Sequence, residues 1–224
     1  MSTAFLRPFG RRAAAAALAL LASIGTAAAH PHVYVDARTQ IVFDAEGRVA
    51  AIRQIWRFDD AFSAFASQGL DANGDGILSV EELQSLAKVN VDSLKDYEYF
   101  TTPRAAGRRV GVKIPTEYRL QSADGYLTLF YTLPMMQPQA PGKDGLTVDV
   151  FDPGYFVDFQ MVDKDPVVLE GAPASCTAEL KRKGAPDEAT AAILGQIPAS
   201  ERELPASLKA MTSGLANRIT VKCP

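Results

Sequence analysis

The chain has 224 residues, of which 47% are hydrophobic and 22% are charged, and its formal net charge is −3. This composition supports a sizeable hydrophobic core and excludes a disordered or low-complexity chain. Because no basic patch with interleaved aromatic residues occurs in the sequence, we expect no nucleic acid among its partners.

Residues 1–29 predict a secretory signal peptide. A basic segment is followed by the apolar run Ala13–Ile24 and by the small residues Ala27–Ala29. The apolar run is shorter than a membrane span requires, which favours cleavage over an uncleaved anchor. We therefore expect a periplasmic protein that begins at His30 and has no membrane span after cleavage.

The two histidines of the chain, His30 and His32, lie at this expected N-terminus. A free α-amine and its imidazole chelate an ion, and residues i and i+2 of a strand share a face, so both imidazoles can reach one metal. Imidazole suits Ni²⁺, Co²⁺, Zn²⁺ and Cu²⁺. Asp36 on the same face, and Asp158 on the expected outer face of a later strand, are candidates for a third ligand or for a carboxylate that orients the imidazoles. The alternatives are solvated histidines at a frayed terminus and an ion pair between Asp36 and Arg38.

Alternating apolar and polar residues predict two strands after this terminus. They are His32–Phe43 and Val49–Phe58, separated by a hairpin turn at Asp44–Arg48. The single tryptophan, Trp56, lies on the same strand face as Ile52, and we expect it in the core.

Residues Asp71–Glu82 match a twelve-residue calcium loop of the EF-hand type. Hard oxygen ligands are expected at positions 1, 3, 5, 7, 9 and 12 of such a loop. The candidate ligands are Asp71, Asn73, Asp75, the backbone carbonyl of Ile77, Ser79 and Glu82. Gly76 permits the sharp turn at position 6. Helical spacing of apolar residues on both sides predicts an inserted helix–loop–helix over about 59–95, for which a polar turn without an ion is the alternative.

A series of short strand candidates follows and predicts an antiparallel sandwich. The candidates are Tyr97–Thr101, Arg109–Ile114, Tyr118–Gln121, Leu127–Leu133, Leu146–Phe151, Tyr155–Val162 and Val167–Leu169. The tail, 184–224, is expected to be helical and to end in a strand, Arg218–Cys223. The expected fold is therefore α+β and mainly β: an antiparallel β-sandwich-like domain over 30–183 with the inserted helix–loop–helix, and a helical C-terminal segment.

The two cysteines, Cys176 and Cys223, are expected to form a disulfide, because an exported protein meets an oxidising compartment. The bond would tie the end of the tail to the β-rich domain. A pair of thiolates that holds a metal ion is the alternative.

Several motifs occur in a distinctive order along the chain. They are His30–Val33 after the signal peptide, Asp71–Leu86, Tyr99–Thr101, Leu127–Leu129 with Leu133–Pro134, Phe151–Pro153 with Phe156–Phe159, and Gly171–Cys176. This order resembles a family of poorly characterised bacterial proteins that are labelled as periplasmic components of an ABC-type transport system. The resemblance implies a role in metal supply beside a nickel, cobalt or zinc permease or an ABC transporter. The chain lacks the two-lobed α/β pattern of ordinary periplasmic solute-binding proteins.

The expected function is a periplasmic metal-binding accessory protein of nickel, cobalt or zinc transport or homeostasis, with a calcium-binding loop. We expect no enzyme, because both histidines at the terminus exclude an internal catalytic triad and no nucleophile elbow or phosphate-binding loop occurs. Two alternatives remain: a calcium-stabilised interaction module without a transition metal, and a copper enzyme that uses an N-terminal histidine brace.

Overall fold

The computed structural model describes residues 31–197 and 204–224. The predicted signal peptide and His30 lie outside the described residues. The strands are β1 (Val33–Phe43), β2 (Val49–Phe58), β3 (Thr101–Ala105), β4 (Arg108–Arg109), β5 (Tyr118–Ala123), β6 (Tyr126–Gln139), β7 (Leu146–Val150), β8 (Val157–Met161), β9 (Val167–Glu170), β10 (Thr177–Lys181) and β11 (Asn217–Lys222). The α-helices are α1 (Asp60–Ala66), α2 (Val80–Leu94), α3 (Glu188–Leu194) and α4 (Ala206–Thr212). Short 3₁₀ segments cover Lys95–Phe100 and Ser213–Leu215.

Two sheets share one hydrophobic core, so the predicted α+β, mainly β fold is confirmed. The first sheet has the strand order β5-β6-β2-β1-β8, with β9 also paired to β1, and the second has the order β10-β11-β7-β3-β4. Alternate residues of β1 are buried, which is the period expected for a strand with one face on a core. Most strand pairs are antiparallel, as expected, whereas β1 pairs in parallel with β8 and with β9.

The helix–loop–helix packs against the first sheet through apolar and polar contacts. Leu83, Ala87 and Val91 are spaced four residues apart on α2 and are all buried in the common core. Burial of the Leu83 side chain alone contributes about 1.5–3 kcal/mol. On α1, the buried Ser63 hydroxyl accepts a hydrogen bond of 3.0 Å from the Leu127 amide of β6. Both helices are therefore fixed to the sheet independently of the loop between them.

The prediction of a strand at Tyr97–Thr101 was wrong, because the backbone there turns before β3 begins. Glu98, Tyr99 and Phe100 have φ values of 51°, 56° and 47°, in the left-handed region that side chains disfavour. The Tyr99 carbonyl accepts hydrogen bonds from the Thr101 hydroxyl at 2.9 Å and from the Tyr131 hydroxyl at 3.0 Å. These contacts from β3 and β6 hold a conformation that local sequence alone does not favour.

The structure differs from the strand predictions in two further places. Only Arg109 of the candidate Arg109–Ile114 lies in a strand, the two-residue β4, and Val112 makes an isolated bridge to Met135 of β6. Strand β10 was not predicted at all, because most of its residues are exposed and carry no alternating apolar pattern. The tail folds over a small separate cluster of buried apolar side chains: Tyr155, Leu194, Ile197, Leu204 and Leu215.

Candidate metal sites

The loop Asp71–Glu82 connects α1 to α2 and is folded by its own hydrogen bonds. The Asp71 carboxylate accepts from the backbone amides of Gly74 and Gly76 at 2.7 and 2.9 Å. Gly74 and Gly76 have φ values of 72° and 79°, which glycine adopts without the strain that a side chain adds. The loop therefore bends around the Asp71 carboxylate at the position where the sequence predicts a sharp turn.

Glu82 closes the loop from its other end. Its Oε1 accepts from the Ala72 amide at 2.9 Å, and its Oε2 accepts from the amide and the hydroxyl of Ser79 at 2.9 and 2.8 Å. Ser79 in turn caps α2 by accepting from the Glu82 amide, so the two residues form a capping box. The hydrogen bonds from Ser79, followed by that from Ala72, lower the pKa of Glu82. The carboxylate is therefore charged at neutral pH.

The middle of the loop carries the remaining candidate ligands. The Asn73 side-chain amide donates to Asp75 at 2.9 Å, and Asp75 also accepts from the Ile77 amide at 2.8 Å. Among the described residues, no three His, Cys, Asp or Glu side chains converge closely enough to hold a metal ion. The loop oxygens are instead directed at loop amides.

The donor set nevertheless fits Ca²⁺ in its chemistry. Carboxylates, a side-chain amide, a hydroxyl and a backbone carbonyl are the hard oxygens that this ion takes. Binding would require the side chains of Asp71, Asp75 and Glu82 to turn some of their oxygens from the loop amides towards the ion.

The structure fixes the position of one of the two candidate histidine ligands. The His32 amide donates to the Phe156 carbonyl at 2.9 Å, and the His32 ring lies against the Phe156 ring with a centroid distance of 4.9 Å. The Nε2 atom of His32 is buried. Coordination of an external ion by this nitrogen therefore requires the ring to move. His30 lies outside the described part of the chain.

Asp36, proposed beside the histidines, is engaged elsewhere. Its carboxylate pairs with Arg57 at 3.0 Å, whereas Arg38 donates to the Lys164 carbonyl at 3.0 Å. The expected alternative, an ion pair between Asp36 and Arg38, is therefore replaced by a pair across the β1–β2 ladder. Four residues of extended chain separate the Cα atoms of His32 and Asp36 by about 13 Å. The structure does not bring Asp36 to His32.

Asp158 is buried, which corrects the expectation that it lies on an outer strand face. Its side chain forms an ion pair with Lys183 and accepts a hydrogen bond from the side-chain amide of Gln160 at 2.8 Å. The segment after β10 crosses this face of β8, since Arg182 donates to the carbonyls of Met161 and Val162. The alternating sequence of β8 does not reveal that a distant part of the chain covers it.

Cys176 and Cys223 form a disulfide, as the sequence predicts, with an S–S distance of 2.04 Å. They lie just outside the paired residues Thr177 and Lys222, so the bond closes one end of the β10–β11 ladder. Because these are both cysteines of the chain, no free thiol remains. The alternative of a thiolate metal site is therefore excluded.

A cavity of about 200 Å³ lies beside α2, and no sequence pattern predicts it. Its walls come from β1, β2, α1, the C-terminal end of α2, the Lys95–Phe100 segment and the loop before β8, which are far apart in sequence. The sequence pointed to this region through Trp56, which was expected in the core. Its 1% exposure confirms that position. A periodic pattern identifies a buried face and gives no indication of a void within it.

No helix in the described ranges has the length and apolar character that crossing a membrane demands.

A family model with the description "Protein of unknown function (DUF1007)" matches residues 15–223. A relative from Spirochaeta aurantia, an uncharacterised 15.5 kDa protein in the trpE 3′ region, is 33% identical over 100 residues, which are 45% of this chain and 71% of that protein. The chain therefore belongs to the DUF1007 family of proteins of unknown function.

Proposed function

We propose that this is an exported metal-binding protein that binds Ca²⁺ through the loop Asp71–Glu82 and serves transition-metal transport or homeostasis in the periplasm as an accessory. One observation carries the calcium part: the two ends of the loop are already joined. Glu82 at position 12 reaches back to the Ala72 amide, next to Asp71 at position 1. Because this hydrogen bond holds the two ends of the loop together, little chain entropy remains to be lost on binding.

The role of the calcium ion in this proposal is structural. The ion would join α1 to α2, which are each fixed to the first sheet through Ser63 and through the Leu83 face. A dissociation constant on the order of 0.1–1 mM is sufficient outside the cytoplasm. At ten times that constant, binding to the folded state alone adds about 1.4 kcal/mol to the free energy of unfolding.

The calcium proposal is tested by thermal unfolding with CaCl₂, with MgCl₂ and without divalent ions. We expect Ca²⁺ to raise the Tm of the wild type but not that of Asp71→Asn or Glu82→Gln. Glu81→Gln is the matched control, because Glu81 is the exposed neighbour of Glu82 on the same helical turn and lies outside the ligand positions. A wild-type Tm that is unchanged by 10 mM CaCl₂, or that rises equally in all variants, would refute the site.

The transition-metal part rests on His30 and His32 and on the family resemblance, which suggests a membrane permease or ABC transporter as partner. The backbone contact of His32 with Phe156 is compatible with it, because it fixes the His32 backbone at the start of β1, two residues along the chain from the expected N-terminus. The candidate ions are Ni²⁺, Co²⁺, Zn²⁺ and Cu²⁺.

The N-terminal site is tested by metal titration with Ca²⁺ saturating. Protein that mass spectrometry shows to begin at His30 is compared with protein that carries one extra residue in front. Tight binding that the extra residue weakens by orders of magnitude supports the amine–imidazole chelate. A preference for copper with oxygen consumption would favour the histidine-brace enzyme. Equal weak binding in both proteins would count against the transition-metal site and favour the alternative function, a calcium-stabilised interaction module.

A further inference from the structure

Strand β10 forms a free edge of the second sheet. The strand order β10-β11-β7-β3-β4 places it at the end of that sheet, and within residues 31–197 and 204–224 its one strand partner is β11. Four of its five residues are exposed, and Leu180 is half-buried. An edge strand presents unpaired backbone N–H and C=O groups that can pair with another chain. β10 is therefore a candidate interaction surface.

The end of β11 shows which of its backbone groups face β10. The Cys223 amide donates to the carbonyl of Gly142, in the loop before β7, at 3.3 Å. Because backbone groups alternate in direction along a strand, the amides of residues 218, 220 and 222 point the other way, towards β10. Their partners in the β10–β11 register are Lys181, Glu179 and Thr177. The odd-numbered residues of β10 are therefore those that bond to β11.

The other end of the ladder gives the same direction independently. The Lys183 amide donates to the side chain of Asn217, the first residue of β11, at 3.0 Å. Alternation from Lys183 again turns the odd-numbered residues of β10 towards β11. Ala178 and Leu180 therefore direct their N–H and C=O groups away from the sheet, along its free edge.

Both ends of β10 are anchored to the rest of the fold. Cys176, which precedes the strand, is joined to Cys223 by the disulfide. Lys183, two residues after the strand, forms an ion pair with the buried Asp158. Since the strand is held at both ends, pairing with another strand orders little additional chain, which lowers the entropy lost on association.

The side chains of β10 are complementary to those of a second copy in one register. Outward-facing residues must lie opposite one another, so two antiparallel copies can be centred on Ala178, Glu179 or Leu180. The pair centred on Glu179 sets two like charges directly opposite, which is destabilising. The pair centred on Ala178 sets Glu179 opposite Thr177 and gains no ion pair. The pair centred on Leu180 sets each Glu179 opposite the Lys181 of the other copy.

From these observations we propose that β10 pairs antiparallel with β10 of a second copy of this chain, centred on Leu180. The two Leu180 residues exchange backbone hydrogen bonds, and Glu179 and Lys181 form two ion pairs across the two-fold axis. The two five-stranded sheets then become one continuous sheet. Charged side chains on an edge discourage indiscriminate pairing, and here they attract in one register. The contact is small, so the dimer is weak and transient.

Two charge reversals test the partner and the register together. In Glu179→Lys and in Lys181→Glu, both ion pairs of the dimer become pairs of like charge, and self-association should weaken at least about tenfold. An equimolar mixture of the two variants should associate as strongly as the wild type, because opposite charges meet again at both positions. Sedimentation equilibrium of the purified protein from about 10 µM to about 1 mM measures the dissociation constants.

Two exposed residues near β5 supply matched controls. Glu117→Lys and Lys113→Glu make the same charge changes outside β10, so they alter the net charge equally. Both controls should self-associate like the wild type. Their mixture should gain nothing over either control alone, which separates pairing at β10 from a general effect of net charge.

Hydrogen exchange reads the backbone contact directly. The Leu180 amide points along the free edge, so its exchange should slow in the wild type as the protein concentration rises. In Glu179→Lys it should stay fast at every concentration. The Glu179 amide of the wild type faces β11 and serves as an internal reference that should be protected throughout.

Three outcomes would overturn the proposal. A wild type that remains monomeric at about 1 mM would show that the free edge does not take a second copy. Dimerisation that both charge reversals retain would place the interface elsewhere on the molecule. Variants that are monomeric alone and remain so when mixed would exclude the register centred on Leu180.

Discussion

The ammonium of Lys183 forms an ion pair with the buried carboxylate of Asp158, and this pair ties the segment after β10 in the second sheet to β8 in the first. The same segment is held by the Asn217 side chain, which accepts from the Lys183 amide at 3.0 Å and donates to the Phe159 carbonyl at 2.9 Å. Burial lowers the pKa of Lys183 to about 8, so the ammonium remains the prevailing form at neutral pH. The two sheets are therefore joined by a polar contact as well as by their shared core.

Removal of one partner of this pair is expected to be far more harmful than removal of both. Lys183→Met leaves the Asp158 carboxylate buried without a cation and should lower the free energy of unfolding by about 3–5 kcal/mol. Adding Asp158→Asn should restore most of that loss, since no buried charge remains. Urea unfolding of the two single variants and the double variant measures the coupling. A double variant that is no more stable than Lys183→Met would show that Lys183 and Asp158 are not a coupled buried ion pair.

The disulfide between Cys176 and Cys223 is expected to stabilise the fold through the unfolded chain. The two cysteines are 47 residues apart, and closure of a loop of that length contributes about 4 kcal/mol in the chain-entropy model. Cys176→Ser with Cys223→Ser should therefore lower the urea midpoint strongly. The reduced wild type is the matched control and should unfold at nearly the same midpoint as the double variant. A double variant as stable as the oxidised wild type would disprove the contribution.

Glu82 is expected to make the stability of the metal-free protein depend on acid pH. Its pKa in the folded state is lowered from 4.5, so the folded state binds this proton less readily than the unfolded state does. The stabilisation is therefore complete above about pH 4.5 and is lost as the pH falls through the lower folded value. Between pH 6 and pH 3, the Tm of Glu82→Gln should fall less steeply than that of the wild type. Glu81→Gln should follow the wild type, and an identical slope in all three proteins would count against the mechanism.

The parts of the fold that depend on local pattern could be predicted from the sequence. Alternation identified β1 and β2 nearly to the residue, and the loop Asp71–Glu82 was located by its spacing of acidic residues and glycines. The parts of the fold that depend on distant partners could not be predicted from the sequence. The left-handed turn at Tyr99 exists because hydroxyls from two other strands hold its carbonyl.

The candidate sites also divide into those that a local sequence pattern reveals and those that depend on distant residues. The positions of the candidate loop ligands follow from one short motif, and the disulfide follows from the presence of two cysteines in a chain that is expected to be exported. The burial of Asp158 depends on Lys183, which lies 25 residues later, and its own neighbours indicate only a strand. The cavity beside Trp56 is invisible to any pattern of residues, because it is a space left between elements that are distant in sequence.

Gln54 is expected to be a sensitive polar residue of the core. It is 0% exposed, accepts from the Thr39 hydroxyl at 2.8 Å and donates to the Thr101 hydroxyl at 3.0 Å across the two sheets. Gln54→Leu keeps most of the volume but leaves Thr39 without its acceptor, which should cost about 1–3 kcal/mol. Because Thr101 also holds the Tyr99 carbonyl, the variant should shift the Trp56 indole resonance through the adjoining cavity wall.

Gln84→Leu on the exposed face of α2 is the matched control for Gln54→Leu. An exposed substitution of this kind should stay within about 0.5 kcal/mol of the wild type, and the indole resonance should not move. Urea unfolding and one ¹H–¹⁵N spectrum of each variant measure both effects. If Gln54→Leu lowered stability while the indole resonance stayed in place, the network would support the core without shaping the cavity. If neither quantity changed, a well-packed leucine would stabilise the core as well as the buried hydrogen bonds between the sheets do, and the prediction would be wrong.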